Sequence, residues 1–268
     1  MKNKIYILFI ALMGFSCSEE SHEIDTSSEI SNVKTFEDYL EFANADTDNR
    51  IMLQSLGAIN NTSTIDVISA RSKVELGSIE FEIDEDQYVG ENIFSGDEFI
   101  TWNNNVDNLS QYYGKEVNVK VSNKLLQARN SSNSDDVVSF YIPEIISANL
   151  YNLKEGKIQP GSYITWNADP NNVNGIILAV EYKPTSQFTE EMVNEYNERL
   201  IKGLTIDDVG TYTITEEDLA EFPDNANLSF YIGRTGYVIE TGDEGENDVY
   251  IGAYTSMRTD MKIDKNND

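Results

Sequence analysis

The chain has 268 residues, and its 47 acidic residues outnumber its 19 Lys and Arg residues, which gives a formal net charge of −28 at pH 7. This charge repels phosphate backbones, so we expect no nucleic-acid partner. The single cysteine, Cys17, excludes an intrachain disulfide and a cysteine-rich metal site, and the single histidine, His22, leaves only one imidazole for catalysis.

The amino terminus is predicted to be a secretory signal peptide over residues 1–16. Lys2 and Lys4 precede an uncharged, apolar run over residues 5–15. This run is shorter than the roughly 20 residues that a membrane-spanning helix needs, and its basic start is typical of a signal sequence. The sequence Gly14-Phe15-Ser16-Cys17 follows, and here the chain resembles a bacterial lipoprotein signal. The resemblance implies cleavage before Cys17 and lipid attachment to its thiol, although Gly14 stands where that pattern has Leu. The alternative is an ordinary signal peptide that is cleaved elsewhere.

Residues 17–34 are predicted to be a flexible acidic tether, because this segment is rich in Ser and Glu and has only isolated apolar residues. Glu19 and Glu20 closely follow Cys17, and this placement resembles the acidic export signal of surface lipoproteins of the Bacteroidota. The resemblance implies an outer-membrane protein that is exposed at the cell surface and attached to the membrane by its lipid alone. His22 lies in this tether, and we expect it to have no catalytic role.

Residues 35–64 are predicted to form a helical entry segment. Phe36, Tyr39, Leu40 and Ala43 recur with helical spacing, which gives residues 35–45 one apolar face. The apolar stretch over residues 51–59 does not decide between helix and strand by its pattern.

Residues 65–143 are predicted to form a β domain, since β-branched and aromatic residues alternate there with clusters of Gly, Asn and Asp. The clearest strands are residues 77–83, 117–121 and 137–142.

Two helical stretches are predicted in the second half. Met192, Val193, Tyr196 and Leu200 share one face of a helix over residues 190–202, and the following glycine, residue 203, is a typical terminator. A shorter helical turn is predicted over residues 216–221, capped by the residues at 215 and 218.

Both tryptophans lie in an internal echo, which reads Phe99-Ile-Thr-Trp102-Asn and Tyr163-Ile-Thr-Trp166-Asn. Period-two alternation places each Trp on the same face as the Ile two residues before it, so we predict that both rings are buried in a core. Two exposed aromatic platforms for a ligand are the alternative.

The second half resembles a fibronectin type III domain or a related Ig-like sandwich, over residues 144–262. The segments Ser162-Tyr-Ile-Thr-Trp166-Asn-Ala-Asp-Pro170 and Gly175-Ile-Ile-Leu-Ala-Val180-Glu-Tyr182 are similar to that family's second and third strands. The helix predicted at 190–202 is an insertion relative to the family, and Leu228 lies nearest the place of its usual corner Tyr. The resemblance implies a structural scaffold and transfers no catalytic residue.

Neither a phosphate-binding loop, a dinucleotide fingerprint nor a His-Glu-x-x-His motif occurs in the sequence. The Asp- and Asn-rich loops at 169–175 and 243–248 offer oxygen ligands for calcium, but the same residues are ordinary turn formers. We therefore predict no metal site, no cofactor and no catalytic residue.

The sequence predicts a mainly β protein with two β-sandwich-like units in tandem, a short N-terminal helical segment, one inserted helix in the C-terminal unit, and a disordered tail over 263–268. The expected function is a non-catalytic binding, adhesion or surface-assembly module of the cell envelope, with a glycan or protein partner at the cell surface. A glycan-binding lipoprotein of a carbohydrate-uptake system is the alternative, and a carboxylate-dependent hydrolase is less favoured.

Overall fold

The computed structural model describes residues 49–72, 78–91, 101–102, 109–121, 137–182, 200–240 and 249–265. These ranges contain fourteen strands in three sheets, one 3-10 helix and one short α-helix. The prediction of a mainly β, sandwich-like protein is therefore confirmed. The strands are β1 (Asn49–Ala58), β2 (Thr64–Ser72), β3 (Ser78–Ile83), β4 (Asp86–Glu91), β5 (Thr101–Trp102), β6 (Lys115–Val121), β7 (Val137–Ile142), β8 (Ala148–Tyr151), β9 (Tyr163–Trp166), β10 (Ile176–Tyr182), β11 (Leu200–Ile206), β12 (Thr211–Thr213), β13 (Asn227–Glu240) and β14 (Val249–Lys262); the 3-10 helix is Leu109–Tyr112 and α1 is Glu216–Leu219.

The largest sheet has seven strands in the order β11-β10-β13-β14-β1-β2-β5. Strands β13 and β14 have 14 residues each and pair in antiparallel fashion along their whole length. Strand β1 joins the other side of β14 in parallel, from Asn49 opposite Val249 to Ala58 opposite Arg258. Strands from both halves of the chain therefore form one continuous sheet.

Two smaller sheets cover different parts of one face of this large sheet. The four-stranded sheet β4-β3-β6-β7 encloses a first core, which includes Leu53, Val119 and Ile251. The three-stranded sheet β12-β9-β8 encloses a second core, which includes Ile164 and Phe230. Two sandwich-like units thus share one sheet, and no single position in the chain separates them.

The other face of the seven-stranded sheet carries a third apolar cluster, which includes Met52, Tyr237, Tyr250 and Tyr254. A Cβ atom on Gly233 would lie 3.0 Å from the Cε2 atom of Tyr254. The missing side chain at Gly233 therefore lets the Tyr254 ring lie against the sheet, in the way that large aromatic rings cover strand glycines.

Several predicted elements are confirmed within one or two residues. The predicted strands at 77–83, 117–121 and 137–142 correspond to β3, β6 and β7. Both β6 and β7 alternate buried and exposed residues, as expected for strands with one face on a core. The short helix after Thr215 is also present, and Thr215 and Asp218 form the capping box.

Three predictions are wrong for the residues that the structure describes. Residues 49–58 of the predicted helical entry segment form β1. Their side chains alternate between the two faces of the sheet, since Ile51 and Leu53 enter the first core and Met52 lies on the opposite face. The predicted helix over 190–202 does not include its last three residues, since Leu200 begins β11 and Gly203 pairs with Ala179 inside the sheet. The tail is not disordered at its start, because the Ile263 side chain is fully buried in the second core.

The signal peptide 1–16, the acidic tether 17–34 with Cys17 and His22, the predicted helix over 35–45, the first part of the predicted helix over 190–202 and the loop 243–248 lie outside the described residues. Within the described ranges, no helix has the length and apolar character needed to cross a membrane.

Candidate functional site

A buried arginine lies between the two cores. On β13 the side chains of Leu228, Phe230 and Ile232 enter the second core, and Val238 enters the first. Period-two alternation therefore points Arg234 inward as well, at the junction of the two units. Its side chain is 0% exposed.

The guanidinium of Arg234 binds three segments that enclose it. Its Nε and Nη2 atoms donate to the two carboxylate oxygens of Asp208, in the loop after β11, at 2.7 and 2.9 Å. Nη1 donates to the carbonyl oxygen of Glu144 in the β7–β8 connection at 3.1 Å, and Nη2 also donates to the carbonyl oxygen of Asn167 after β9. A bidentate pair of this kind fixes both the distance and the orientation of its partners.

The Asp208 carboxylate is fully occupied by this network. It also accepts hydrogen bonds from Trp166 Nε1 at 2.7 Å and from Asn172 Nδ2 at 3.0 Å. Burial acts to raise the pKa of Asp208. The hydrogen bonds from Arg234, Asn172 and Trp166, together with the positive charge of Arg234, outweigh burial and hold the pKa below its usual value. Asp208 is therefore a permanent anion near neutral pH and a poor proton carrier.

A second polar contact joins the two units beside Arg234. The Tyr141 hydroxyl of β7 donates to the Asp169 carboxylate, at 2.9 and 3.0 Å from its two oxygens. The backbone N–H groups of Glu144 and Asn171 donate to the same carboxylate at 2.8 and 3.0 Å. Burial, and then the hydrogen bond to Asp169, raise the pKa of Tyr141 to about 12, so its hydroxyl stays protonated.

The polar side chains of the loop at 169–175 bind groups within the loop and in neighbouring segments. Asp169 is bound as described above, and Asn172 Nδ2 donates to the Gly175 carbonyl oxygen at 2.7 Å as well as to Asp208. Within the described residues no group of three or more His, Cys, Asp or Glu side chains is placed to hold a metal ion. The Asp169 and Asn172 side chains are therefore already engaged by donors and acceptors of the protein itself.

A third polar cluster lies at the β3–β4 hairpin. Tyr112 donates to the Asp86 carboxylate, the hydroxyls of Tyr112 and Tyr88 are 2.8 Å apart, and Gln111 Nε2 donates to Asp86 at 3.1 Å. Burial and these hydrogen bonds raise the pKa of Tyr112 well above its usual range. A tyrosine with a raised pKa is a weaker acid and forms even less of the nucleophilic phenolate at neutral pH, so the cluster favours a structural role.

A small apolar gap between β10, β11 and α1 has a volume of about 10 Å³ and is lined by Leu178, Leu204, Ile214, Leu219 and Phe230. This volume is close to the space that one water molecule needs, so the gap has no room for an organic ligand.

Trp166 is a core residue and not an exposed platform for a ligand. Trp166 is 7% exposed and belongs to the second core, and its Nε1 donates to Asp208. The prediction of a core role is confirmed for this residue. Trp102 pairs with Ser69 at the edge strand β5, but its side chain lies outside the described part of the structure.

The exposed side of the three-stranded sheet differs from the polar clusters above. Its register places two cross-strand rows on the outer face, Tyr151–Tyr163–Thr213 and Asn149–Thr165–Thr211. We call these residues the Tyr–Thr face. None of the six side chains of this face is charged, whereas 25% of the residues in the whole chain are charged. Their neighbours in sequence on β8 and β9 point inward and are buried in the second core, which supports the face from below.

Two tyrosines dominate this face. Tyr151 is 45% exposed and Tyr163 is 38% exposed. Their rings stack with centroids 5.3 Å apart and an interplanar angle of 22°. A stacked cross-strand pair stabilises a sheet by itself, but it also presents aromatic surface to solvent in a fixed orientation.

Hydrogen bonds fix the backbone next to both tyrosines. Asn152, which follows Tyr151, donates from Nδ2 to the carbonyl oxygen of Gly161 at 2.9 Å. Ser162, which precedes Tyr163, donates from Oγ to the carbonyl oxygen of Asn152 at 2.9 Å and is fully buried. The two strand ends are therefore tied together where the rings emerge, and the face is preorganised.

Sequence reasoning missed the main residues of both sites. Arg234 stands at a core-facing position of an alternating strand, and this placement is the signal that could have identified it. Tyr151 carried no signal of its own, because its stacking on Tyr163 depends on the register between β8 and β9.

No protein-family model matches the chain, and none of the curated proteins is significantly similar to it. The resemblances to surface lipoproteins and to fibronectin type III domains therefore stay predictions.

The Arg234–Asp208 pair gives a stability prediction. Arg234→Met should lower the free energy of unfolding by about 3–5 kcal/mol, because it leaves the Asp208 carboxylate buried without its cation. The double variant Arg234→Met with Asp208→Asn should lose less unfolding free energy than the sum of the losses in the two single variants, since it no longer buries a charge. Urea unfolding measures all three variants.

Lys115→Met is the matched control, because Lys115 pairs with Asp84 at 2.8 Å with both side chains partly exposed. Lys115→Met should lower the free energy of unfolding by less than about 1 kcal/mol. Equal costs for Lys115→Met and Arg234→Met would contradict the role given to the buried pair.

Proposed function

We propose that this protein is a lipid-anchored protein of the cell envelope that acts as a non-catalytic binding module. Its ligand or partner contacts the Tyr–Thr face of the three-stranded sheet. The observation that carries the proposal is the exposed, stacked pair Tyr151–Tyr163 in an uncharged surface. Tyrosine offers large contact area with little loss of conformational entropy and is common in recognition surfaces.

The described titratable clusters support a role without catalysis. Asp208 is held as an anion by Arg234, and Tyr112 and Tyr141 have raised pKa values. Each of these groups is engaged by partners and is shifted away from the range in which it could exchange a proton at neutral pH.

The cell-envelope part of the proposal rests on the sequence. The basic start, the apolar run and the single cysteine at its end support lipid attachment at Cys17, and the acidic residues after it support export to the outer surface. The arrangement of β12-β9-β8 opposite β11-β10-β13-β14 supports the resemblance to a fibronectin type III-like sandwich.

The contact surface can be tested with cells that display the full-length chain. Tyr151→Ala combined with Tyr163→Ala should lower adherence to a mixed coat of polysaccharides and proteins by at least about tenfold, because the aromatic contact area is removed. Ile65→Ala combined with Val173→Ala is the control, since both side chains are exposed apolar groups away from the face. Unchanged adherence of the double tyrosine variant would exclude this face as the contact surface.

Lipid attachment can be tested separately by labelling cells with an alkyne-tagged fatty acid. The wild-type chain and Ser18→Ala should incorporate the label, whereas Cys17→Ser should not, because the serine hydroxyl is not the thiol that the reaction requires. Equal labelling of Cys17→Ser would rule out attachment at this residue.

A further inference from the structure

We propose that the Tyr–Thr face binds a neutral glycan, with one sugar ring against the Tyr151–Tyr163 pair. This inference rests on the proposed function and adds the chemical class of the ligand. Its basis is the size of the face, the absence of charge on it and the kinds of polar groups beside the rings.

The size of the face favours a small or chain-like ligand over a folded protein. Neighbouring strands lie about 4.8 Å apart and alternate residues about 6.8 Å apart along a strand, so the six side chains cover an area of roughly 10 by 7 Å between their Cα atoms. A stable protein interface buries about 800 Å² on each partner. Even with the side chains included, this face supplies only a fraction of that area.

The charge of the face and of the whole chain favours a neutral ligand. The six side chains include neither a cation that could bind a carboxylate or sulfate nor a carboxylate that could bind an amine. The formal net charge of −28 adds a general repulsion of anions. An anionic ligand would therefore lose its hydration without gaining an ionic partner.

The side-chain chemistry matches a sugar. A pyranose ring has an apolar face of C–H groups, which packs on an aromatic ring, and hydroxyl groups around its edge. Thr213 and Thr165 offer hydroxyls and Asn149 offers an amide at the positions next to the tyrosines in the two rows. Among the hydrogen bonds of the described residues, none engages the side chains of Tyr151, Tyr163 or Thr213, so these hydroxyls are available to a ligand.

Register places the polar groups on a definite side of the rings. Thr213 lies opposite Tyr163 on the strand away from Tyr151, and Thr165 lies two residues along the same strand from Tyr163. A sugar packed on Tyr163 therefore has hydroxyl groups within reach of Thr213 on one side and Thr165 on another, whereas a sugar packed on Tyr151 has the Asn149 amide two residues along β8.

Affinity electrophoresis of the full-length chain in detergent tests the ligand class directly. The probes are soluble neutral α-glucan, β-glucan and mannan, with polygalacturonate and dextran sulfate as anionic comparisons. At least one neutral polymer should retard the wild-type chain, and Tyr163→Ala should weaken that retardation by about tenfold. Tyr163→Phe keeps the ring stack and should lose much less, while an unchanged melting temperature shows that each variant is folded.

Charge introduced at the face gives a second readout. Thr213→Asp should weaken the retardation, because it places a hydrated carboxylate beside the sugar, whereas Val173→Asp adds the same charge at a side chain that is 82% exposed and lies off the face. Retardation by anionic polymers alone, by none of the neutral polymers, or equally in wild-type and Tyr163→Ala chains would overturn the glycan inference. If adherence of displaying cells still depends on the tyrosines in those cases, the proposed binding function stands and only the ligand class is wrong.

Discussion

The ion pair between Arg234 and Asp208 is the interaction on which the arrangement of the rest of the structure depends. A guanidinium at the junction of two apolar cores is costly to bury unless it is paired and hydrogen-bonded. Here that condition is met only when the β7–β8 connection, the loop after β9 and the loop after β11 are all in place, because each supplies an acceptor. The pair itself adds little net stability compared with the replacement of both residues by apolar ones. It strongly disfavours arrangements in which any of these segments moves away, because the buried charges would then lose a partner.

The two units and the Tyr–Thr face follow from this constraint. The β7–β8 connection leads from the four-stranded sheet into β8, and Asn167 directly follows β9, so Arg234 fixes the two strands that carry Tyr151 and Tyr163 relative to the seven-stranded sheet. The carbonyl oxygen of Tyr141 lies 2.6 Å from where a Cβ atom on residue 236 would stand, which explains why Gly236 follows Arg234 on the inner face. The network that buries charge between the cores thus positions an uncharged surface on the outside of the second unit.

The sequence predicted the mainly β class and many individual strands, because alternation in β6, β7 and β9 is a local property. It failed where long-range pairing decides. Residues 49–58 become a central strand only through their parallel pairing with β14, which lies 200 residues further along the chain. The helical pattern that includes Leu200 gave way to the sheet for the same reason, since β11 is a strand only beside β10. The Tyr–Thr face could not be predicted, because it is assembled by register among three short strands, whereas burial of Trp166 followed from its alternation with Ile164.

Native-state hydrogen exchange tests most directly whether the buried pair couples the two cores. In the wild-type chain, the slowest amides of residues 117–121 in the first core and 164–166 in the second core should exchange with the same free energy of opening and the same dependence on urea, as parts of one cooperative unit do. In Arg234→Met the opening free energies of these two sets of amides should differ. Different opening free energies already in the wild-type chain, or identical values that persist in Arg234→Met, would contradict the role assigned to Arg234.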